Sequence, residues 1–216
     1  MRELVLKMSL SVDGFVGGPN GEVDWIFKSL DQEATAWTVA TLREAGVHVM
    51  GSRTFRDMAA YWPAATDAFA APMNEIPKVV FSRKPSVAEI LAGPTTRAVE
   101  DASRAKSAQC EPPAVAAAPG KDSWAGATVA CGALSEEVAR LKRQPGGPIL
   151  AHGGAGFAQS LVRLGLVDEY RLVIHPEALG RGLALFSGLS GPLELSLLSA
   201  TPFPGGAVAK VYRPAR

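Results

Sequence analysis

Residues 149–157 read ILAHGGAGF, which is a short apolar run, a glycine cluster and the beginning of an amphipathic helix. Phe157, Leu161 and Leu164 lie at i, i+4 and i+7, so they share one helical face. The apolar run predicts a buried strand. A strand, a glycine turn and a helix N-terminus together place free backbone N–H groups where a phosphate can bind. The segment indicates a phosphate-bearing ligand, while a simple turn between strand and helix remains the alternative.

The spacing of these glycines disfavours an ordinary Rossmann domain. A dinucleotide fingerprint would have a third glycine at residue 159, where Gln159 stands. It would also have an acidic residue about 20 residues further on, whereas Asp168 comes earlier. The motif moreover lies late in the chain, although the Rossmann version opens its domain.

The rest of the chain alternates strands with helices and then changes to strands alone. Hydrophobic patterns predict strands at 3–12, 47–50, 78–82, 127–131 and 148–152, and helices at 31–45, 54–60, 134–141 and 156–165. Alternating residues after position 169 predict further strands around 170–174, 193–197 and 207–213. This order predicts an α/β fold with a central, mostly parallel sheet, antiparallel strands at its C-terminal edge and flanking helices.

Length, composition and charge limit the classes of protein to which the chain can belong. The chain has 216 residues, 47% of them hydrophobic and 20% charged, and a formal net charge of +1. One domain over residues 1–216 is expected, and nothing in the charge favours nucleic acid or an anionic membrane as partner. No apolar run is long enough to span a membrane, and the N-terminus has no signal-peptide core.

The cysteines and histidines predict a metal-free protein of a reducing compartment. Cys110 and Cys131 are the only cysteines, and the three histidines are scattered without the spacing of metal ligands. A disulfide framework and a metal site are both disfavoured, and a cytoplasmic protein is expected.

One segment does not follow the alternation. Residues 101–125 are rich in Ala and Pro and are expected to be irregular, and an Ala/Pro-rich insertion is expected at about 86–123. A solvated surface insertion is the favoured interpretation. An arm that covers a site or a neighbouring subunit is the alternative.

Three predicted strand ends carry groups that can bind phosphate. The segments are Gly51-Ser52-Arg53-Thr54, Ser82-Arg83-Lys84 and Gly153-Gly154-Ala155-Gly156. Each has an ordinary explanation, as a helix cap, as solvated loop charges or as a turn. Together they fit one extended, phosphate-rich ligand that lies across the carboxyl ends of adjacent strands.

Several motifs in sequence order resemble the dihydrofolate reductase-like superfamily. The resemblance is to bacterial proteins similar to the C-terminal reductase domain of the bifunctional riboflavin-biosynthesis deaminase/reductase. The matching segments are 8–15 (MSLSVDGF), 19–25 (PNGEVDW), 49–55 (VMGSRTF), 79–83 (VVFSR) and 149–186, which includes GLVDEY and PEALGRGLALF. The match spans nearly the whole chain except about residues 86–123. Within residues 1–216 the resemblance is to the reductase domain and not to the zinc deaminase domain, so a reductase role is the one that it implies.

This resemblance implies NADPH as cofactor and hydride donor. By motif position, the residues that would hold its phosphates are Gly51, Ser52, Arg53, Thr54, Gly153, Gly154, Ala155, Gly156 and Phe157, with Ser82 and Arg83 for the 2′-phosphate. The resemblance also implies a cis peptide bond between Gly153 and Gly154. The chain departs from dihydrofolate reductases at Ser52, where those enzymes commonly carry Arg.

The resemblance further implies a reductase of a small heterocyclic substrate, and a homodimer with the C-terminal strands as a plausible interface. A pterin and a ribosylaminopyrimidine such as 5-amino-6-(5-phosphoribosylamino)uracil both remain open as substrate. Asp24 is the candidate polar anchor or proton source, with a helix N-cap as its alternative role. Asp13 is a second candidate, although an Asp-Gly turn favours a role in fixing the backbone. The alternative function is a nucleotide-binding or interaction protein that keeps the fold without catalysis.

Overall fold

The protein, described by a computed structural model over residues 1–108 and 123–215, contains an eight-stranded sheet within those residues. The strands are β1 (Leu4–Ser11), β2 (Val47–Gly51), β3 (Lys78–Phe81), β4 (Thr128–Ala130), β5 (Ile149–Ala151), β6 (Glu169–His175), β7 (Leu195–Pro202) and β8 (Val208–Pro214). Their order across the sheet is β4-β3-β2-β5-β1-β6-β8-β7.

The strands from β4 to β6 are parallel, and the C-terminal pairs are antiparallel. β1 pairs with β5 and β6 in parallel, whereas β8 is antiparallel to both β6 and β7. The predicted sheet, mostly parallel with antiparallel strands at the C-terminal edge, is confirmed.

Helices cover both faces of the parallel strands. They are α1 (Gln32–Arg43), α2 (Ser52–Tyr61), α3 (Ala70–Glu75), α4 (Val87–Leu91), α5 (Arg97–Ala108), α6 (Leu134–Arg143) and α7 (Ala155–Arg163), with short 3₁₀ helices at Asp24–Ser29 and Trp62–Ala64. None of the helices in the described part of the chain is long and apolar enough to cross a bilayer.

The central strand β1 contributes to the core on both of its faces. Leu4 and Leu6 pack in one cluster with residues of α6 and α7. Val5 packs in a second cluster with Leu42 of α1 and Phe55 of α2. Because successive strand residues alternate between faces, β1 is buried from both sides, which is typical of parallel sheets.

The prediction of an irregular segment from residue 101 is wrong for residues 101–108. These residues are the end of α5, in which Asp101 is buried. The helix forms because residues 97–108 contain no Pro or Gly and are rich in Ala, Arg, Glu and Lys, which favour helices. The prolines at 112, 113 and 119 follow it. The remainder of the predicted irregular segment, residues 109–122, lies outside the described residues.

Candidate functional site

The three predicted phosphate-binding segments follow three strands that are neighbours in the sheet. β3, β2 and β5 lie side by side and run parallel, so the residues after them meet at one edge. The N–H of Gly51 donates a hydrogen bond to the carbonyl of Gly153 at 3.3 Å, which joins two of the segments directly. The three strands are adjacent, as the sequence analysis expected, because β2 pairs with β3 on one side and with β5 on the other.

The N-termini of α2 and α7 approach each other closely where these segments meet. A Cβ at residue 154 would lie 2.9 Å from the hydroxyl of Thr54, and one at residue 51 would lie 3.2 Å from the Cβ of Phe157. Glycine at both positions permits this approach. The peptide bond between Gly153 and Gly154 is cis, as the resemblance implied.

Both helices begin with glycine caps that offer no side-chain acceptor. Gly51 caps α2 and Gly154 caps α7, and neither cap has a side-chain hydrogen bond. The first N–H groups of an α-helix have no partner inside the helix, and they carry the positive end of its dipole. Ser52 begins α2, and α7 begins with Ala155 and Gly156, beside which a Cβ would meet open space. The edge can therefore accept an anion from two helices at once.

The basic side chains at this edge differ in their hydrogen bonds. Arg53 and Arg83 are exposed and form no hydrogen bond or ion pair with other described residues. Lys84, in contrast, donates through Nζ to the carbonyl of Glu89 at 2.7 Å, and its N–H donates to the Ser82 hydroxyl at 2.9 Å. Arg53 and Arg83 are thus the residues left to bind an added phosphate.

The carboxylate of Asp13 is occupied by backbone and hydroxyl donors. It accepts hydrogen bonds from the Ser11 hydroxyl at 2.5 Å and from the N–H groups of Leu179 and Gly180 at 3.2 and 2.7 Å. The Ser11 hydrogen bond, followed by those of the 179–180 backbone, lowers the pKa of Asp13. These contacts favour the backbone-fixing role over that of a proton source.

Asp24 is exposed and is the first residue of the 3₁₀ helix Asp24–Ser29. Its alternative role as a helix N-cap is wrong, because Val23 occupies that position. The next residue, Trp25, is buried with its ring edge-on to His175, at 5.5 Å between ring centroids. The chain thus exposes Asp24 and buries the residue after it against His175, the last residue of β6.

A polar cluster that the sequence analysis missed lies on the sheet face opposite α6 and α7. Lys7 of β1 is half-buried and forms no hydrogen bond or ion pair with any described residue. Burial lowers its pKa from 10.5 to about 8. A cation that is removed from water without a partner is unusual in a stable fold and is typical of a functional site.

Three histidines complete this cluster. Burial, followed by the charge of Lys7, lowers the pKa of His175 to about 4, and burial, His48 and Lys7 lower that of His152. The Nδ1 of His175 is 2.8 Å from the Ser29 hydroxyl. The Nε2 atoms of both His152 and His175 are buried and have no hydrogen-bond partner among the described residues. The ring of His48 lies 4.6 Å from that of His152, and its buried Nδ1 also has no hydrogen-bond partner among the described residues. Four nitrogen groups thus lack described partners on one face of the sheet, and no carboxylate of the described residues pairs with Lys7.

The family is shown by a match to the RibD C-terminal domain over residues 2–209. The chain belongs to the RibD C-terminal domain family. The resemblance drawn from the motifs is confirmed by this match.

The similar proteins agree with the fold described above. This RibD C-terminal domain is 29% identical over 211 residues to the uncharacterized protein YyaP of Bacillus subtilis (strain 168), over 98% of this chain and 94% of that protein. A diaminohydroxyphosphoribosylaminopyrimidine deaminase/5-amino-6-(5-phosphoribosylamino)uracil reductase of Thermotoga maritima has a TM-score of 0.64 and 17% identity, over 99% of this chain and 57% of that chain.

Dihydrofolate reductase of Enterococcus faecalis, complexed with NADP(H), has a TM-score of 0.57 and 12% identity, over 99% of this chain and 97% of that chain. At these identities the two structures show the fold, which is dihydrofolate reductase-like, and their ligands belong to those proteins. The predicted fold class is confirmed.

Proposed function

We propose that the protein is an NADPH-dependent reductase of a carbonyl-bearing pyrimidine. The observation that carries this proposal is the meeting of two glycine-capped helix N-termini, those of α2 and α7, at one sheet edge. Two arginines that pair with no other described residue, Arg53 and Arg83, belong to the segments at that edge. An extended ligand with a pyrophosphate and a further phosphate matches that arrangement. Membership of the RibD C-terminal domain family supports a reductase.

The glycines at the N-termini of α2 and α7 are consistent with a bound pyrophosphate. A Cβ at residue 51 or 154 would meet Phe157 or Thr54, so glycine at these positions lets the first turns of α2 and α7 lie close enough to share one pyrophosphate. A Cβ at Gly156 would meet open space, which leaves room for that group beside the first turn of α7. In the proposed complex, the 51–54 and 153–157 segments hold the pyrophosphate. Arg83, with Ser82, holds the 2′-phosphate, and this contact distinguishes NADPH from NADH.

Lys7 supports a carbonyl-bearing pyrimidine over a pterin as substrate. A lysine ammonium donates hydrogen bonds and accepts none, so it recognises carbonyl oxygens or anions. A uracil ring presents two carbonyl oxygens where a pterin presents one, and no carboxylate of the described residues pairs with the Lys7 ammonium. The neutral imidazoles of His152 and His175 add a donor or an acceptor each, according to tautomer.

The reaction requires a hydride and a proton. NADPH, when bound, supplies a hydride to a C=N or C=O carbon, and the heteroatom of that bond takes up one proton. Lys7, whose pKa is about 8, can hold or deliver a proton at neutral pH, and Asp24 is the second candidate donor. Each turnover thus consumes one NADPH and one proton and releases NADP⁺ and the reduced substrate.

Steady-state oxidation of NADPH tests this proposal. The compounds to compare are 5-amino-6-(5-phosphoribosylamino)uracil and dihydrofolate, with the wild type, Lys7→Met and Asp24→Ala. We expect the pyrimidine to be reduced, and we expect both variants to lose turnover while still binding NADPH. NADPH binding without oxidation by either compound would instead favour the alternative, a nucleotide-binding protein without catalysis. Faster reduction of dihydrofolate would contradict the choice of substrate.

A further inference from the structure

Helix α5 buries one carboxylate. Among the side chains described in α5, only that of Asp101 is fully buried, with 1% of it exposed. Helices normally bury apolar side chains against their neighbours, and a buried carboxylate is unfavourable unless it is paired or hydrogen-bonded. The contacts of Asp101 therefore determine how α5 docks.

Asp101 binds the backbone immediately before Asp24. Its Oδ2 accepts a hydrogen bond from the N–H of Val23 at 3.1 Å. Its Oδ1 lies 3.7 Å from Nε of Arg97 and 3.8 Å from Nη1 of Arg104, and Arg97 in turn lies 3.8 Å from Glu22. A cluster of charges thus holds residues 22 and 23, and the 3₁₀ helix that carries Asp24 begins at the next residue.

The residues that directly precede α5 are hydrogen-bonded to α2. The carboxylate of Asp57 accepts hydrogen bonds from the N–H of Thr96 at 2.8 Å and from its hydroxyl at 2.6 Å. Arg56 donates to the carbonyl of Pro94 at 2.8 Å. Because α2 begins at the 51–54 segment, α5 bridges the helix proposed to hold the cofactor and the segment that carries Asp24.

We propose that Asp101 is a positioning residue, which fixes the segment 22–29 relative to the N-terminus of α2 through the N–H of Val23. This inference rests on the proposed function, since Asp24 has a chemical role only there. Removal of the carboxylate leaves the Val23 N–H without its partner, so the segment opens more often. Turnover then falls because Asp24 is displaced, while the N-termini of α2 and α7 still bind NADPH.

Hydrogen exchange and kinetics of three variants test the proposal. Asp101→Leu removes the acceptor, and Asp101→Asn keeps an acceptor oxygen without the charge. Glu100→Gln is the matched control, because it removes one negative charge from the neighbouring, exposed position of the same helix. In Asp101→Leu we expect exchange in residues 22–29 to rise about tenfold or more, kcat to fall about tenfold, and KM for NADPH to stay unchanged. Asp101→Asn should restore most of the protection of residues 22–29 from exchange and most of kcat, and Glu100→Gln should match the wild type.

A further variant, Thr96→Val, tests the proposal if Asp101→Leu does not fold. Thr96→Val removes one of the two hydrogen bonds to Asp57 at an exposed position and should show the same pattern at smaller amplitude. Exchange in residues 22–29 that is equal in the wild type and in the Asp101 or Thr96 variant would overturn the proposal. So would a rise in KM for NADPH with unchanged kcat. If the wild type oxidises no NADPH at all, the reductase function fails, and the exchange comparison still decides the role of Asp101.

Discussion

Replacement of Lys7 by Met should stabilise the protein and abolish its turnover. Met keeps the aliphatic length of the side chain and removes the ammonium that burial disfavours. Burial lowers the pKa of Lys7 from 10.5 to about 8, and this difference corresponds to about 3 kcal/mol against the charged form in the folded state. Lys7→Met should raise the free energy of unfolding by up to this amount at neutral pH, or Tm by roughly 6–12 °C.

The sign of the pH dependence follows from the same pKa. Between about pH 8 and 10.5 the unfolded chain binds more protons at this lysine than the folded chain does, so its contribution to stability rises with pH over that window. Below about pH 8, the charged Lys7 destabilises the folded protein by its full amount. The advantage of Lys7→Met should therefore be largest at neutral pH and disappear above the pKa of a free lysine.

Thermal melts across this pH window, combined with NADPH oxidation assays, measure both effects. Lys210→Met on β8 is a matched control, since β6 separates β8 from β1 and Lys210 lies outside the cluster with His152 and His175. It should change neither Tm nor turnover appreciably. A Lys7→Met variant that melts below the wild type at neutral pH, or that keeps full turnover, would refute the reasoning that an unpaired, functional cation is buried at this position.

Three further predictions concern the proposed cofactor site at the ends of β3, β2 and β5 and the exposed edge strand β7. Arg83→Ala should weaken NADPH binding about 10- to 100-fold in calorimetry and leave NADH binding unchanged, because a charge-assisted contact to the 2′-phosphate is lost. Equal losses for both nucleotides would contradict this role. Gly154→Ala should destabilise the protein by about 1–3 kcal/mol in denaturant titrations, since the new Cβ would lie 2.9 Å from the Thr54 hydroxyl, whereas Gly191→Ala, which meets open space, should not. Leu197→Glu, in the uncharged and exposed strand β7, should convert the expected homodimer to monomer in sedimentation experiments, and a wild-type monomer would contradict the expectation.

The order of the strands along the chain could be predicted because their patterns are local. The alternation at β1, the apolar run at β5 and the amphipathic helix after it depend on neighbouring residues alone. α5 could not be recognised in the same way, because the alanines and prolines that follow it dominate the composition of the surrounding segment. The contacts that hold α5 in place join residues far apart in the sequence, such as Asp101 and Val23, which are 78 residues apart.

Lys7 was missed for a physical reason. In β1, Lys7 and Ser9 alternate with apolar residues, and this pattern normally indicates a strand with one face in water. The structure covers both faces of β1, because helices pack on either side of the sheet, and β5 and β6 pair with its two edges. The clue in the sequence was a lysine near the middle of a strand that opens an α/β fold, where both faces are expected to be buried. Only the sheet order shows that Lys7 shares its face with His152 and His175.

Calorimetric titration of the wild-type protein with NADPH and with NADH tests the central claim most directly. The account predicts one NADPH bound per chain, with tighter binding than NADH, because the 51–54 and 153–157 segments hold the pyrophosphate and Arg83 holds the 2′-phosphate. Binding of neither nucleotide would contradict the proposed site at the ends of β3, β2 and β5.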